Sequence, residues 1–231
     1  MAQVLFVMTG AEYWTLKDGT RHPTGFWAEE FVAPHEVFRE AGYEAVVATP
    51  GGVVPTVDEA SLAPEVNGGQ EGADAMARAV TENLALRAPI RVDDVVLADY
   101  AAVFLPGGHG PMEDLAVTPE VGRLLVAALD ADVPLGVVCH APAALLAGLR
   151  DDGSSAFAGY RLTAFTNEEE KQVGLADKAP WLLQDRLVDL GVDFAEEDPW
   201  EPYVVHDRGL YSGQNPASSA PLAAEITRAM I

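Results

Sequence analysis

Residues 135–146 read Leu-Gly-Val-Val-Cys-His-Ala-Pro-Ala-Ala-Leu-Leu, and this stretch decides the fold. An apolar run ends at Cys139 and a helix-forming run follows Pro142, which predicts a strand, a sharp turn and a helix. Such a nucleophile elbow exposes a side chain at the end of a parallel strand. Cys139 is the only cysteine in the chain, and His140 follows it directly. The pair is a candidate nucleophile and proton shuttle, although a small buried residue packed under a helix is the alternative.

Strand and helix signals alternate on both sides of this elbow. Strands are predicted at 4–8, 45–48, 102–105 and 135–138, and helices at 26–41, 73–86, 119–131, 143–149 and 221–230. A hairpin is predicted over 204–212, around Asp207-Arg208-Gly209. Repeated βα units of this kind predict one α/β domain over residues 1–231, with a doubly wound, mostly parallel sheet and helices on both faces.

The composition restricts the classes of function. The 231 residues include 36 acidic and 14 basic ones, a net charge of −22, so the surface is expected to repel nucleic acid. No apolar run approaches the roughly 18 residues of a membrane helix, and the first residues do not resemble a signal peptide. With a single cysteine, these features favour a soluble, cytoplasmic protein. The five histidines lack the spacing of a metal site, so no metal is expected.

A second candidate element is the glycine-rich stretch Leu105-Pro-Gly-Gly-His-Gly-Pro111, which stops the strand at 102–105. Its glycines allow a close approach of the backbone, and the N–H groups of Gly107 and Gly108 are candidate oxyanion donors. His109 is a candidate site-lining residue, and a bystander role is equally compatible with the sequence. A short loop rich in glycine is weak evidence alone, but its strand is expected to neighbour the elbow.

Two acidic clusters supply candidate partners for the cysteine and the histidine. Glu29 and Glu30 lie early in the predicted helix at 26–41, and Glu168–Glu170 follow Thr166 and Asn167, either of which could cap a helix. Favourable placement of acids in a first helical turn is the alternative for both clusters. The elbow is also expected to place the sulfur near a helix N-terminus, which favours the thiolate.

Five stretches together resemble the ThiJ/PfpI superfamily, and within it the branch of heat-inducible chaperone-like proteins with glutathione-independent glyoxalase III activity. Their order and spacing span nearly the whole chain, and the combination is more specific than any single stretch. The matching segments are Thr24–Glu30, Leu105–Gly110, Val137–His140, Thr163–Glu170 and Gly213–Ser219.

The resemblance implies a flavodoxin-like α/β fold and a cofactor-independent Cys-His-acid triad. Cys139 takes the position of the nucleophile, His140 that of the base, and Glu170 that of the acid, with Glu168 as the second choice. Glu30 takes the place of the carboxylic acid that hydrogen-bonds the sulfur in this family. The implied reaction converts methylglyoxal or a related 2-oxoaldehyde into a 2-hydroxy acid, and the implied assembly is a homodimer.

Other functions remain compatible with parts of the pattern. A deglycase would use the same site on early glycation adducts, and a holdase chaperone or redox sensor would use the cysteine differently or not at all. A cysteine peptidase also occurs in the superfamily. An amidotransferase is disfavoured because it needs a late His-x-Glu pair, whereas Asp207 and Arg208 follow the late His206.

Overall fold

A seven-stranded sheet forms the centre of the molecule in the computed structural model, which describes residues 2–230. The strands are β1 Gln3–Val7, β2 Tyr13–Thr15, β3 Arg21–Pro23, β4 Glu44–Thr49, β5 Ile90–Arg91, β6 Tyr100–Leu105, β7 Leu135–Val138, β8 Arg161–Leu162, β9 Asp193–Phe194, β10 Val204–Asp207 and β11 Leu210–Gly213. The central sheet has the order β10-β11-β7-β6-β1-β4-β5, and β2–β3 and β8–β9 form two small sheets. Within residues 2–230, the β10–β11 hairpin is the only antiparallel pair of the central sheet, so the predicted α/β class and mostly parallel sheet are confirmed.

Helices cover both faces of this sheet. They are α1 Ala28–Glu40, α2 Gln70–Glu82, α3 Leu84–Arg87, α4 Gly110–Glu113, α5 Pro119–Asp130, α6 Asn167–Gln172, α7 Leu183–Leu190 and α8 Ser219–Ala229. The helix predicted at 73–86 is two helices, because the Asn83 side chain accepts hydrogen bonds from Ala85 and Leu86 and begins a new one. The helix predicted at 143–149 is a 3₁₀-helix at Ala141–Ala147.

Strand β1 illustrates why the sheet needs cover on both sides. Val4 and Phe6 join a core cluster with α1 and α8, whereas Leu5 and Val7 join the opposite cluster with α5 and α7. All four side chains are fully buried. A continuous apolar strand of this kind is typical of a parallel sheet with helices on both faces.

The neighbouring strands β6, β7 and β11 bring three loops together at one edge of the sheet. β7 lies parallel to both β6 and β11, so the residues after Leu105, Val138 and Gly213 meet at their common carboxyl end. Ligands in open α/β sheets bind beyond this end. Among residues 2–230, the helices include none that is long and apolar enough to cross a bilayer.

Candidate active site

Cys139 lies on a strained turn directly after β7. Its φ of 59° is in the left-handed region, which a residue with a side chain rarely adopts. The turn is fixed from both sides, because the Cys139 N–H donates to Gly213 O at 2.9 Å and its carbonyl accepts from Phe165 N at 2.9 Å. The predicted elbow is therefore present, and it holds a buried thiol at the carboxyl end of the sheet.

His140 connects the thiol to a carboxylate. Its Nδ1 lies 3.2 Å from Cys139 Sγ, and its Nε2 lies 2.7 Å from Glu170 Oε2. Burial, and then the neighbouring His109, lower the pKa of His140 to about 4, so the ring is neutral at pH 7. With the Nε2 proton donated to Glu170, the lone pair of Nδ1 faces the thiol.

Glu170 is ionised although it is buried. Burial opposes its charge, but the His140 ring and hydrogen bonds from His109 and His140 outweigh burial and hold its pKa well below the usual range. Glu168, the second choice for the acid from the sequence, is exposed and lies 3.3 Å from Lys171 Nζ. The turn of α6 thus directs Glu170, and not Glu168, towards the histidine.

The second oxygen of Glu170 is occupied by His109. His109 Nε2 lies 2.9 Å from Glu170 Oε1, and the two histidine rings are 4.0 Å apart. His109 also stacks on Trp14 with a centroid distance of 5.1 Å. The sequence predicted a site-lining residue at this position, and the hydrogen bond to Glu170 was not anticipated.

Glu30 approaches the site from the other side, at the start of α1. Its Oε2 accepts a hydrogen bond of 2.7 Å from Gly107 N, and its Oε1 has no hydrogen-bond partner within residues 2–230. Burial raises the pKa of Glu30 to about 8, against the weaker opposing effects of the Cys139 thiol and the Gly107 N–H. At neutral pH this carboxyl therefore carries a proton next to the sulfur.

The thiol itself is protonated at rest, which corrects the expectation of a thiolate favoured by a helix N-terminus. Burial, and then Glu30, raise the pKa of Cys139 well above its ordinary value, while the Gly108 N–H acts in the opposite direction. The element after the elbow is a 3₁₀-helix of seven residues, Ala141–Ala147, whose dipole is too weak to offset the loss of water. His140 Nδ1, at 3.2 Å from the sulfur, is placed to accept the thiol proton.

The glycine-rich loop packs directly against these groups. A Cβ at Gly107 would lie 2.7 Å from His140 N and 2.8 Å from Glu30 Oε2. A larger residue at this position would therefore displace the His140 backbone or the Glu30 carboxyl. Gly108 has a φ of 86°, which glycine adopts without strain. Because the Gly107 N–H already donates to Glu30, it is not open to a substrate oxygen, and this corrects its assignment as an oxyanion donor. The Gly108 N–H, which faces the sulfur, remains a candidate oxyanion donor.

Glu169, which the sequence analysis named only as a member of the cluster Glu168–Glu170, organises the surroundings. Its fully buried carboxylate accepts hydrogen bonds from the Thr166 backbone and side chain through Oε2. Oε1 accepts from Trp200 N at 3.0 Å, Gln214 Nε2 at 3.2 Å and Asn215 Nδ2 at 2.9 Å. The Thr166-x-x-Glu169 capping box was a readable signal for the helix start, but it contains no information on the two distant loops.

Two cavities meet at the site. An inner cavity of about 50 Å³ adjoins the thiol and is lined by Trp27, Gly108, His109, Cys139, His140, Phe165, Val173, Trp200 and Pro216. An outer cleft of about 670 Å³ shares Trp27, His109 and Val173 with it, and Glu12, Asp58, Glu59 and Lys178 add charged groups. The sulfur of Cys139 therefore lies in a small apolar cavity beside a larger cleft that also contains charged residues.

The site also contains ligand types that bind metals. One nitrogen each of His109 and His140 and one oxygen of Glu170 lie within 4.8 Å of one another. The spacing of the histidines did not predict this cluster, because its members come from three separate segments. Each histidine Nε2 is hydrogen-bonded to a separate oxygen of Glu170.

Comparison with known proteins places this geometry in a family. The model of the DJ-1/PfpI family matches residues 23–229. The chain is 29% identical over 238 residues to the protein/nucleic acid deglycase HchA of Pseudomonas aeruginosa, covering 94% of this chain and 77% of that protein. It is 28% identical to its namesake from Staphylococcus aureus strain MSSA476, covering 95% and 77% of the two chains.

Solved structures are also similar to this chain over nearly its whole length. The chain superposes on glyoxalase III from Candida albicans with a TM-score of 0.85 and 26% identity, covering 99% of this chain and 97% of that one. Rapid Encystment Protein 24 KDa of Francisella tularensis has a TM-score of 0.87 and 26% identity, with both chains fully covered. The resemblance stated from the sequence is confirmed, and the chain belongs to the DJ-1/PfpI family.

Proposed function

We propose that this protein converts methylglyoxal or related 2-oxoaldehydes to 2-hydroxy acids without glutathione, as a cysteine-dependent enzyme of the glyoxalase III type. The observation that carries the proposal is the arrangement at the sulfur. A buried thiol contacts a neutral His140 on one side, and a protonated Glu30 lies on the other. This arrangement provides a nucleophile, a base and an acid in a small apolar cavity, as addition to a small electrophilic aldehyde requires.

The first step is addition of Cys139 to the aldehyde. As the S–C1 bond forms, His140 Nδ1 accepts the thiol proton, and its positive charge is balanced by Glu170 at 2.7 Å from Nε2. Charge develops on the aldehyde oxygen next to the Gly108 N–H. That oxygen then receives the proton from His140, which gives a neutral hemithioacetal and restores the neutral ring.

The second step is an internal rearrangement. His140 Nδ1 removes the proton from C1, and the ketone oxygen at C2 takes a proton from Glu30, which gives an enediol. Return of the proton from His140 to C2, and of the C1 hydroxyl proton to Glu30, leaves a thioester of the 2-hydroxy acid. No atom is gained or lost, so the step needs no cofactor.

The third step is hydrolysis of the thioester. A water molecule forms a bond to C1 while His140 accepts its proton, and the S–C1 bond breaks as the tetrahedral species collapses. The sulfur regains its proton from His140, and the 2-hydroxy acid leaves. His140 therefore moves a proton in each step, Glu30 exchanges protons in the second, and Glu170 fixes the ring that moves them.

The test is an assay of the purified protein with methylglyoxal in the absence of glutathione. Formation of lactate by the wild type, and its loss in Cys139→Ala with the fold retained by circular dichroism, is the expected result. Consumption of the aldehyde without lactate, or retention of most of the lactate formation in Cys139→Ala, would contradict the proposal.

A deglycase activity at the same site is the second candidate. The observation that favours it is the outer cleft of about 670 Å³ beside the inner cavity, which provides space for the remainder of an adduct. The similar HchA proteins are named protein/nucleic acid deglycases. Release of lactate from a preformed, purified adduct faster than its spontaneous decay distinguishes this activity from removal of free aldehyde. A holdase chaperone function, in contrast, would survive replacement of Cys139.

The proposed partners follow the charge of the chain. With a net charge of −22, the surface disfavours nucleic acid, and we include small carbonyl compounds but no nucleic acid among the substrates. We further propose that the chain acts as a single domain, as a homodimer and in the cytoplasm. Size-exclusion chromatography with light scattering tests the dimer.

A further inference from the structure

Trp200 occupies an unusual position over the inner cavity. It lies in the loop between β9 and β10, and its φ of 69° is in the left-handed region. A bulky residue in this conformation is strained and persists only where its surroundings fix it. Its side chain lines the cavity of Cys139 and His140, yet the residue is 43% exposed. The indole therefore separates this cavity from solvent.

Three contacts fix the indole in this place. The Trp200 N–H donates to the buried carboxylate of Glu169 at 3.0 Å, and the indole Nε1 donates to Gln172 Oε1 at 2.6 Å. The ring meets Phe165 edge to face, with centroids 5.6 Å apart, and Phe165 lies 4.4 Å from the His140 ring. Since Glu169, Glu170 and Gln172 belong to one helix, α6 positions both the catalytic carboxylate and this wall.

The volume beside the sulfur is small. It measures about 50 Å³. A protein cavity that binds benzene measures about 150 Å³. A methyl substituent on a 2-oxoaldehyde is therefore compatible with this space after a small adjustment, whereas a phenyl substituent is not.

We propose that Trp200 is a specificity-determining residue, which limits the substituent of the substrate to a small aliphatic group by forming the wall of the Cys139 cavity that the outer cleft does not share. The proposal rests on the proposed function for the identity of the substrate. The restriction that Trp200 places on access to the Cys139 sulfur does not depend on that function. Removal of the indole opens the cavity to solvent and leaves Cys139, His140, Glu170 and Glu30 in place.

The test compares Trp200→Ala and Trp200→Phe with the wild type on methylglyoxal and phenylglyoxal. We expect Trp200→Ala to raise the ratio of kcat/KM for phenylglyoxal to that for methylglyoxal at least tenfold, mainly through KM for phenylglyoxal, with Trp200→Phe in between. Trp181→Ala is the matched control, because Trp181 packs against the core and Arg186. An unchanged ratio in Trp200→Ala would overturn the proposal.

A second measurement does not depend on turnover. Cys139 is the only thiol, so its alkylation can be followed by intact mass without interference. Trp200→Ala should accelerate alkylation by N-phenylmaleimide at least tenfold more than alkylation by iodoacetamide, while Trp181→Ala leaves the ratio unchanged. If neither aldehyde is turned over but the ratio of the two alkylation rates shifts, the proposed function is wrong and the role of Trp200 in limiting access to the sulfur is supported. Equal acceleration of alkylation by both reagents would indicate a general loss of packing around Cys139 and would contradict the proposed role of Trp200.

Discussion

Two buried carboxyl groups flank the reactive pair, and they hold opposite protonation states. Glu30, at the start of α1, has one hydrogen-bond donor and a pKa raised to about 8. Glu170, in α6, has two histidine donors and a pKa held well below its usual range. Both side chains are almost completely inaccessible to water. Burial alone therefore does not decide the charge of a carboxyl group; neighbouring charges and hydrogen-bond donors decide it together with burial.

Because their protonation states differ, Glu30 and Glu170 are suited to different roles. In the proposed mechanism, the neutral Glu30 gives a proton to a substrate oxygen and recovers one, whereas the ionised Glu170 fixes the tautomer of His140 and stabilises its positive charge. Exchanging the two environments would leave the site without an acid on one side and without a counter-charge on the other. Replacing Glu30, Glu170 or a group that contacts one of them tests this difference.

The largest effect is expected from Glu170→Gln. The amide cannot stabilise the charge on His140, so kcat/KM for methylglyoxal should fall about 100-fold or more, in the range of general acid–base contributions. Glu168→Gln is the matched control, since Glu168 is exposed on the same helix and should retain nearly full activity. Equal losses in the two variants would remove Glu170 from the mechanism. Glu169 is unsuitable as a control because its carboxylate holds two loops.

Stability is expected to depend on pH through Glu30. Its pKa is raised from 4.5 to about 8, so between these values the folded state binds a proton that the unfolded state has lost. This contribution is complete below pH 4.5 and is lost as pH rises towards 8. From pH 5 to pH 7, the free energy of unfolding of the wild type should decrease by about 2 kcal/mol relative to Glu30→Gln. Urea titrations at both pH values measure it, and a constant difference would mean that Glu30 titrates normally.

Glu30→Gln should also change turnover. The amide keeps a donor next to the sulfur but cannot exchange protons with the substrate, so kcat should fall about tenfold while the fold is retained. In the wild type, kcat should decline as pH rises through about 8, where Glu30 loses its proton. That alkaline decline should be absent from Glu30→Gln. A decline of the same shape in both proteins would assign it to another group.

The smallest effect is expected from His109→Asn. This change removes one of the two donors to Glu170 and also the neighbour that helps to lower the pKa of His140. The acid limb of kcat/KM, set by His140 near pH 4, should therefore move to higher pH, with a loss of less than about tenfold at pH 7. His35→Asn, at a half-buried histidine of α1 that contacts Asn83 and not Glu170, should leave the limb unchanged. An unmoved acid limb in His109→Asn would show that His109 does not act on the pair.

The elements that position Cys139 could be predicted from the sequence because their signals are local. The apolar run 135–138 was confirmed as β7 with identical bounds, and the hairpin over 204–212 was confirmed as β10 and β11. The strands β2 and β3 were not predicted, since each has three residues and no periodic pattern. The assignment of Glu170 rested on the family resemblance, and the direction of its side chain required the turn of α6.

The state of the thiol could not be predicted, because it depends on burial by distant segments. The sequence suggested a thiolate at a helix start, whereas Glu30 from α1 and the surrounding core keep the proton on Cys139. The same reason applies to Trp200 and Glu169. Their contacts join residues 28 to 46 positions apart, and neither shows a pattern that points to the cysteine.

Infrared difference spectroscopy of the carboxyl groups tests the central claim most directly. The wild type at pH 6.5 should show a C=O stretching band of a buried, protonated carboxyl that is absent from Glu30→Gln and unchanged in Glu170→Gln. This band should disappear as pH rises through about 8. A band that is lost in Glu170→Gln and retained in Glu30→Gln would reverse the assignment of the two carboxyl groups and contradict the mechanism.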